Sequence, residues 1–211
     1  MCGITGILSF SPKNWPVNEH SLVKMRDTMI HRGPDGAGVW LNETANIGFG
    51  HRRLAIIDLS ETASQPMHLY ANKLTIVYNG EIYNHSELRR ELIELGHNDW
   101  KTQHSDTEVI LHAFEEWGID CIQRFRGVFA MAIWDSIEEN LWLIRDRLGV
   151  KPLYYAKDER GIVFGSEIKA ILEKNGYDLD SDTILRVQTM LESIRDDNQI
   201  NKLDYVIDWF N

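Results

Sequence analysis

Cysteine is scarce, basic residues are outnumbered, and long apolar runs are missing from this 211-residue sequence. Its two cysteines, Cys2 and Cys121, offer neither a disulfide framework nor the C-x-x-C spacing of a metal or redox motif. Lys and Arg number 22 against 32 Asp and Glu, a net charge of −10. Such a balance disfavours a polyanion-binding surface and gives no attraction to anionic lipid. No apolar run approaches the roughly 20 residues a bilayer span requires. The start Met1-Cys2-Gly3-Ile4-Thr5-Gly6-Ile7 lacks the basic opening of a signal peptide. A cytoplasmic protein with no nucleic-acid or membrane partner is the expectation. The eight histidines show no H-x-x-x-H spacing, which gives a metal site little support. A G-x-x-x-x-G-K-[ST] phosphate loop is also missing, so no nucleotide cofactor is expected.

What is present suits a packed core: 43% of residues are hydrophobic, and Trp, Tyr and Phe occur seven times each, which argues against disorder. The length leaves room for one large domain, or one with an appendage, and not for a second catalytic domain. Gly3 to Phe10 reads as a buried strand, and residues 19 to 30 carry Leu22, Met25, Met29 and Ile30 at helical spacing. Short strands are predicted at 39–41, 47–49, 54–57 and 74–78. Helices are predicted over about 85–95 and 106–117. Each follows capping-box spacing, Asn84 with Glu87 and Ser105 with Glu108. Hairpins follow at 129–134 with 141–144 and at 153–156 with 162–164, then helices at 167–173 and 183–195. Strands in runs, with helices grouped between them and no βαβ alternation, indicate an α+β layered fold.

Cys121, within Ile119-Asp120-Cys121-Ile122, reads as a small buried hydrophobe. Cys2 differs, because removing Met1 would leave one residue carrying both a thiol and an α-amine. An α-amine with an ordinary pKa of about 7.7–8.0 is partly free base at neutral pH, and can take the thiol proton directly or through water. In isolation, Met-Cys could equally be the plain start of a strand. The pair Asn79-Gly80 is likewise a common turn signal.

Further blocks bear on this choice. His31-Arg32-Gly33-Pro34-Asp35-Gly36, Gly50-His51-Arg52-Arg53-Leu54-Ala55-Ile56-Ile57-Asp58, Tyr78-Asn79-Gly80-Glu81-Ile82-Tyr83-Asn84 and Ser105-Asp106-Thr107-Glu108 follow the N-terminal Cys2-Gly3-Ile4-Thr5-Gly6. After them come Arg126-Gly127-Val128-Phe129-Ala130, Arg145-Asp146-Arg147-Leu148-Gly149-Val150-Lys151-Pro152-Leu153-Tyr154 and Phe164-Gly165-Ser166-Glu167-Ile168-Lys169-Ala170. In order and spacing, from residue 2 to about 172, these blocks resemble the glutaminase domain of asparagine synthetase, a class II glutamine amidotransferase.

That resemblance implies the N-terminal-nucleophile hydrolase fold: two antiparallel sheets packed face to face with helices outside, a four-layer αββα sandwich. It implies Cys2 as nucleophile, and Asn79 with Gly80 as the oxyanion hole. Free glutamine carries an α-carboxylate and an α-ammonium far from the reacting amide, and Arg53 and Asp106 match the residues that would hold them. Arg suits the first role, since its planar fork holds a carboxylate bidentately. Taken locally, a surface salt bridge for Arg53 and a helix-dipole role for Asp106 are also open. Backbone from Glu81 and from the stretch Arg53 to Ile57 would complete the substrate pocket. The 31–36 loop would frame its mouth. His104, before a helix start, is read as a solvent-facing residue and not as a base.

Full-length synthetases of this kind also carry an S-G-G-x-D-S pyrophosphate loop, whereas this sequence has no Gly-Gly pair. The expected activity is therefore glutamine hydrolysis to glutamate and ammonia through a Cys2 thioester. The expected partners are L-glutamine and a separate ATP-dependent synthetase subunit that accepts the ammonia, with a homodimer also compatible. Two other readings stay open: an N-terminal-nucleophile hydrolase of another amide, and a noncatalytic glutamine-binding subunit. Residues 2–175 are taken as the amidotransferase domain and 176–211 as a helical C-terminal appendage or a truncated linker.

Overall fold

A computed structural model describes residues 1–55 and 61–174, together with the backbone of 206–210. The first sheet is built around β1 (Gly3–Ser9), which pairs antiparallel with β3 (Ile47–Arg53) on one side and β9 (Gly161–Gly165) on the other. Strands β2 (Gly36–Leu41) and β8 (Tyr154–Asp158) complete it in the order β2-β3-β1-β9-β8. The second sheet runs β10-β7-β6-β5-β4, all antiparallel. Its members are β4 (Met67–Leu69), β5 (Leu74–Ile82), β6 (Gly127–Asp135), β7 (Asn140–Arg145) and β10 (Val206–Phe210).

Period-two alternation decides what each sheet buries. Ile4 and Leu8 of β1, Ile47 and Phe49 of β3, Val77 of β5, and Ala130, Ala132 and Trp134 of β6 form one buried cluster between the sheets. Phe49 meets Phe164 edge to face there, with centroids 5.7 Å apart. The opposite parity on β5 and β6, namely Leu74, Ile76, Tyr78, Phe129, Met131 and Ile133, packs under α2 (His85–Glu94) and α3 (Asp106–Trp117). Ile7 and Val163 face outward beneath α1 (Glu19–Asp27) and α4 (Ile168–Leu172). Helix, sheet, sheet, helix is the resulting order of layers, the α+β sandwich expected.

Both predicted hairpins form as expected, β8–β9 pairing with β1 in the first sheet and β6–β7 with β5 in the second. Several other local expectations change in detail. The polar residues His51 and Arg52 sit inside β3, where pairing with both β1 and β2 overrides their weak strand signal. Neither predicted capping box forms. Asn84 instead bridges loops, donating to the Arg124 carbonyl at 2.9 Å and accepting from the Arg126 N–H at 2.9 Å. Glu108 accepts from the Lys101 and Thr102 N–H groups at 2.7 and 2.8 Å. Val206–Phe210 is a strand and not part of a helical appendage: its β-branched and aromatic residues join the edge of the second sheet beside β7. The helix predicted over 183–195 lies outside the described residues. Cys121 is buried, as expected, and burial pushes its thiol pKa up.

Candidate active site

The chemistry collects at one end of the seam between the sheets. Ile4 pairs with His51, so the next step along β1 and β3 brings Cys2 beside Arg53. Cys2 has the parity of Ile4 and Leu8, and Arg53 that of Ile47 and Phe49, which face the second sheet. On the facing sheet, Asn79 has the parity of Val77. A cavity of about 170 Å³ opens there, lined among others by Cys2, Arg53, Leu54, Asn79, Gly80, Glu81 and Asp106. Six of the seven site residues named from the sequence thus line one cavity, and the seventh, Ile57, lies outside the described residues.

Cys2 is held from three directions. The Arg32 Nε donates to its carbonyl at 3.0 Å, and the Leu54 N–H points at its Sγ from 3.4 Å. Ser166 grips the next turn of the strand, its Oγ accepting from the Ile4 N–H at 3.0 Å while its own N–H donates to the Ile4 carbonyl at 2.9 Å. Arg32 is fixed in turn by Glu167, at 3.1 Å from Nη1. Asp35 pins the segment after β3 by accepting from the Ala55 N–H at 2.9 Å. The 31–36 loop therefore holds both the Cys2 residue and the Leu54–Ala55 wall.

Asn79 and Gly80 are not a turn. They lie inside the nine-residue β5, opposite Ala130 and Phe129. The Asn79 side chain is 2% exposed, and its Nδ2 has no hydrogen-bond partner. A buried amide donor left unpaired costs about 1–3 kcal/mol, so such a group facing a cavity calls for an acceptor. Gly80 is required by close approach, since a Cβ there would collide with the Val128 carbonyl oxygen and lie 2.7 Å from the Phe129 Cα. Its N–H direction follows from the ladder. β4 ends opposite Ile76, and beyond it the Tyr78 N–H donates to Gln65 Oε1 at 2.6 Å and the Ile82 N–H to Asp106 Oδ2 at 3.1 Å. Gly80 shares their parity, so its N–H points off the same open edge, between Gln65 and Asp106.

Asp106, the first residue of α3, is buried and also accepts from the Tyr78 hydroxyl at 2.8 Å. Burial pushes its pKa up, and the bonds from Tyr78 and Ile82 pull partly back. Arg53 lines the same cavity, its Nη1 3.5 Å from the Ser64 Oγ. Two cations, Arg53 and Lys151, and two carboxylates, Glu81 and Asp106, therefore line the cavity. His104 is exposed, as expected.

Other residues of the site carried no individual assignment from the sequence. Gln65 and Tyr78 line the cavity and order the β5 edge. His51 also lines it; burial lowers its pKa to about 3, which leaves a neutral ring whose Nε2 has no partner. Lys151 reaches the cavity on a loop whose N–H groups at Val150 and Lys151 are both held by Asp146 at 2.9 Å. All stand within the quoted motifs except Gln65, which had no local signal. No metal-ligating cluster is found at this cavity among the described residues, where the only such set is His97, His112 and Glu115. No described helix is long and apolar enough to cross a membrane.

The model of the glutamine amidotransferase domain family matches residues 1–204. The chain is 46% identical over 174 residues to asparagine synthetase [glutamine-hydrolyzing] 3 of Bacillus subtilis, covering 82% of this chain and 27% of that one. It is 40% identical over 188 residues to putative asparagine synthetase [glutamine-hydrolyzing] 2 of Methanocaldococcus jannaschii, covering 82% and 35%. It thus spans only about a quarter to a third of these relatives' length. Among solved structures, glutamine phosphoribosylpyrophosphate amidotransferase of B. subtilis, complexed with ADP and GMP, superposes with a TM-score of 0.64 at 20% identity. That match covers 81% of this chain and 43% of that one, a likeness of fold.

Proposed function

Because the chain belongs to the glutamine amidotransferase domain family, of the class II type, we propose that it hydrolyses the side-chain amide of L-glutamine, with Cys2 as the nucleophile. The observation that carries this reading is the buried, unpartnered Asn79 Nδ2 on the cavity that Cys2 lines. An acyl-transfer site needs donors placed where negative charge develops, and such a donor waits there already desolvated.

In the proposed reaction, removal of Met1 frees the Cys2 α-amine, which takes the thiol proton as Sγ attacks the amide carbon of glutamine. The carbonyl oxygen gains the charge and accepts from Asn79 Nδ2 and the Gly80 N–H. Collapse of the tetrahedral intermediate breaks the C–N bond, and the α-ammonium of Cys2 returns its proton to the leaving nitrogen, which departs as ammonia. Water then attacks the thioester, releasing glutamate and restoring the thiol. Arg53 binds the substrate α-carboxylate, and Asp106 and Glu81 face its α-ammonium.

Ammonia in neutral water is mostly protonated and non-nucleophilic, so an amidotransferase gains by releasing it toward an activated acyl acceptor. We assign that acceptor to an ATP-dependent synthetase unit outside this chain. The relatives' names, which join asparagine synthesis to glutamine hydrolysis, and their length, about two to three times that of this chain, support that division. The test is glutamate release from glutamine by Met1-processed protein beside Cys2→Ala. Turnover confined to the cysteine form is expected, and equal rates overturn the reading. An Arg53→Ala variant with unchanged KM would favour an amide substrate lacking an α-carboxylate.

A further inference from the structure

The sequence holds no histidine pair at metal-binding spacing, yet the fold creates one. His97 lies in the loop after α2, and its Nδ1 comes 3.1 Å from the Nδ1 of His112 on α3. One helical turn further along α3, Glu115 brings its Oε2 to 3.8 Å from His97 Nδ1, and the three residues offer one ligand atom each within 4.8 Å of one another. We propose that His97, His112 and Glu115 bind a divalent transition-metal ion of the zinc class, at a site separate from the glutamine cavity and independent of the glutaminase reading.

Geometry is the first argument. Ligand bonds of about 2.0–2.1 Å around a tetrahedral ion give ligand–ligand edges of about 3.3 Å. The edges of 3.1 and 3.8 Å bracket that value, and the 4.8 Å limit on the ligand atoms leaves a gap that a swing of the Glu115 carboxylate closes. Two imidazoles and one carboxylate are a donor set for zinc-class ions over magnesium or calcium, and a water from the solvent side supplies the fourth ligand.

The surroundings are the second. His97 Nε2 sits 2.8 Å from Glu116 Oε2, the carboxylate–histidine arrangement that directs the Nδ1 lone pair inward and raises its basicity. Trp100 packs on the His112 ring at 4.2 Å between centroids and donates from Nε1 to the His97 carbonyl at 2.7 Å, holding both rings in place. Lys73 occupies Glu115 Oε1 at 3.4 Å, so Oε2 remains for the ion.

Unmet bonding is the third. Two facing Nδ1 atoms share one hydrogen bond, and Glu115 Oε2 is buried with no hydrogen-bond partner. A cation satisfies all three atoms together, displacing the proton shared by the imidazoles to His112 Nε2 or to solvent. Bound there, the ion ties the 97–100 loop to the middle of α3.

The test is a cobalt(II) titration of the chelator-treated full chain in a Cys2→Ala background, which removes the thiol as a competing ligand. Saturable, stoichiometric growth of the visible absorption of four-coordinate cobalt is expected, reversed by zinc, with zinc also raising Tm. His97→Gln and Glu115→Gln should each weaken binding at least about tenfold, and Glu116→Gln by about 10- to 100-fold. No saturable binding, or equal affinity in His97→Gln and Glu115→Gln, overturns the proposal. X-ray absorption of zinc on the chain with these residues intact needs no such variant: a first shell with two imidazoles supports the site, and a shell without them overturns it.

Discussion

The Tyr78 hydroxyl donates to the Asp106 carboxylate across 2.8 Å, and the Ile82 N–H reaches the same oxygen. Since one oxygen takes both donors, an asparagine can keep both bonds through its own carbonyl. Burial is the largest influence on Asp106 and raises its pKa, so the folded chain holds this proton more tightly than the unfolded chain. Its contribution to stability is therefore favourable below the ordinary value of 3.8 and is lost as pH rises through the folded pKa. Asp106→Asn should be more stable than the parent at neutral pH, with the gain disappearing below that ordinary value. Thermal melts across this range check it. Without the charge proposed to face the substrate ammonium, glutamine KM should rise about 10- to 100-fold, the worth of a charged hydrogen bond.

Asn79→Ala removes a donor that has no protein partner. Loss of one oxyanion donor costs about 10²–10³ in kcat. That loss should appear with little change in KM and only a small change in Tm, because the deleted Nδ2 has no native hydrogen bond to lose. A steady-state assay paired with a melt separates this outcome from simple unfolding.

Gly80→Ala should behave in the opposite way. The new methyl meets the backbone of Val128 and Phe129, which no side-chain rotation relieves. A stability loss of about 1–3 kcal/mol is expected from overpacking alone, with β5 displaced from β6. Denaturant unfolding measures it.

Met1 lines the same cavity as Cys2. While it is attached, the Cys2 nitrogen is an amide and can serve as no base. Chain with Met1 retained, verified by mass spectrometry, should hydrolyse glutamine more slowly than processed chain by about 10²–10⁴, the range of general acid–base catalysis.

Much of this site was legible because motif order is a property of the sequence itself. Cys2, Arg53 and Asn79 were named by the order of their motifs, whereas the strands predicted at 47–49 and 74–78 stopped short of Arg53 and Asn79, which the longer β3 and β5 place on the cavity. The turn reading of Asn79-Gly80 failed because pairing along nine residues of β6 outweighs a dipeptide preference. The capping boxes failed for a related reason: Asn84 and Glu108 have the right spacing, but distant backbone groups at Arg126 and Thr102 claim their oxygens. Gln65 and the His97–His112 contact had no local signal, since each depends on segments 13 and 15 residues away. The strand at Val206–Phe210 was obscured by helical spacing further up the tail, and only the free edge of β7 gives its residues a partner.

Arg32 and Glu167 form the clamp behind Cys2, and the clamp has a pH window. Burial pushes Glu167 up, but hydrogen bonds from Lys169, Arg32 and His31 prevail and hold its pKa at about 2, against an ordinary 4.5. A depressed carboxylate contributes stability that is present above the ordinary value and is lost as pH falls through the folded one. Between 4.5 and about 2 the parent chain should lose stability that Glu167→Gln never had, so the two melting curves converge toward the acid end. At neutral pH the same variant loosens Arg32, whose Nε holds the Cys2 carbonyl. Arg32 bonds the backbone of the proposed nucleophile and does not line the cavity, so Arg32→Met should lower kcat for glutamine hydrolysis while KM changes little. Arg32→Lys, lacking the fork that spans Cys2 and Glu167 together, should restore only part of the rate. Rates equal to the parent in both Arg32 variants would show that Cys2 is positioned by Ser166 and Leu54 alone.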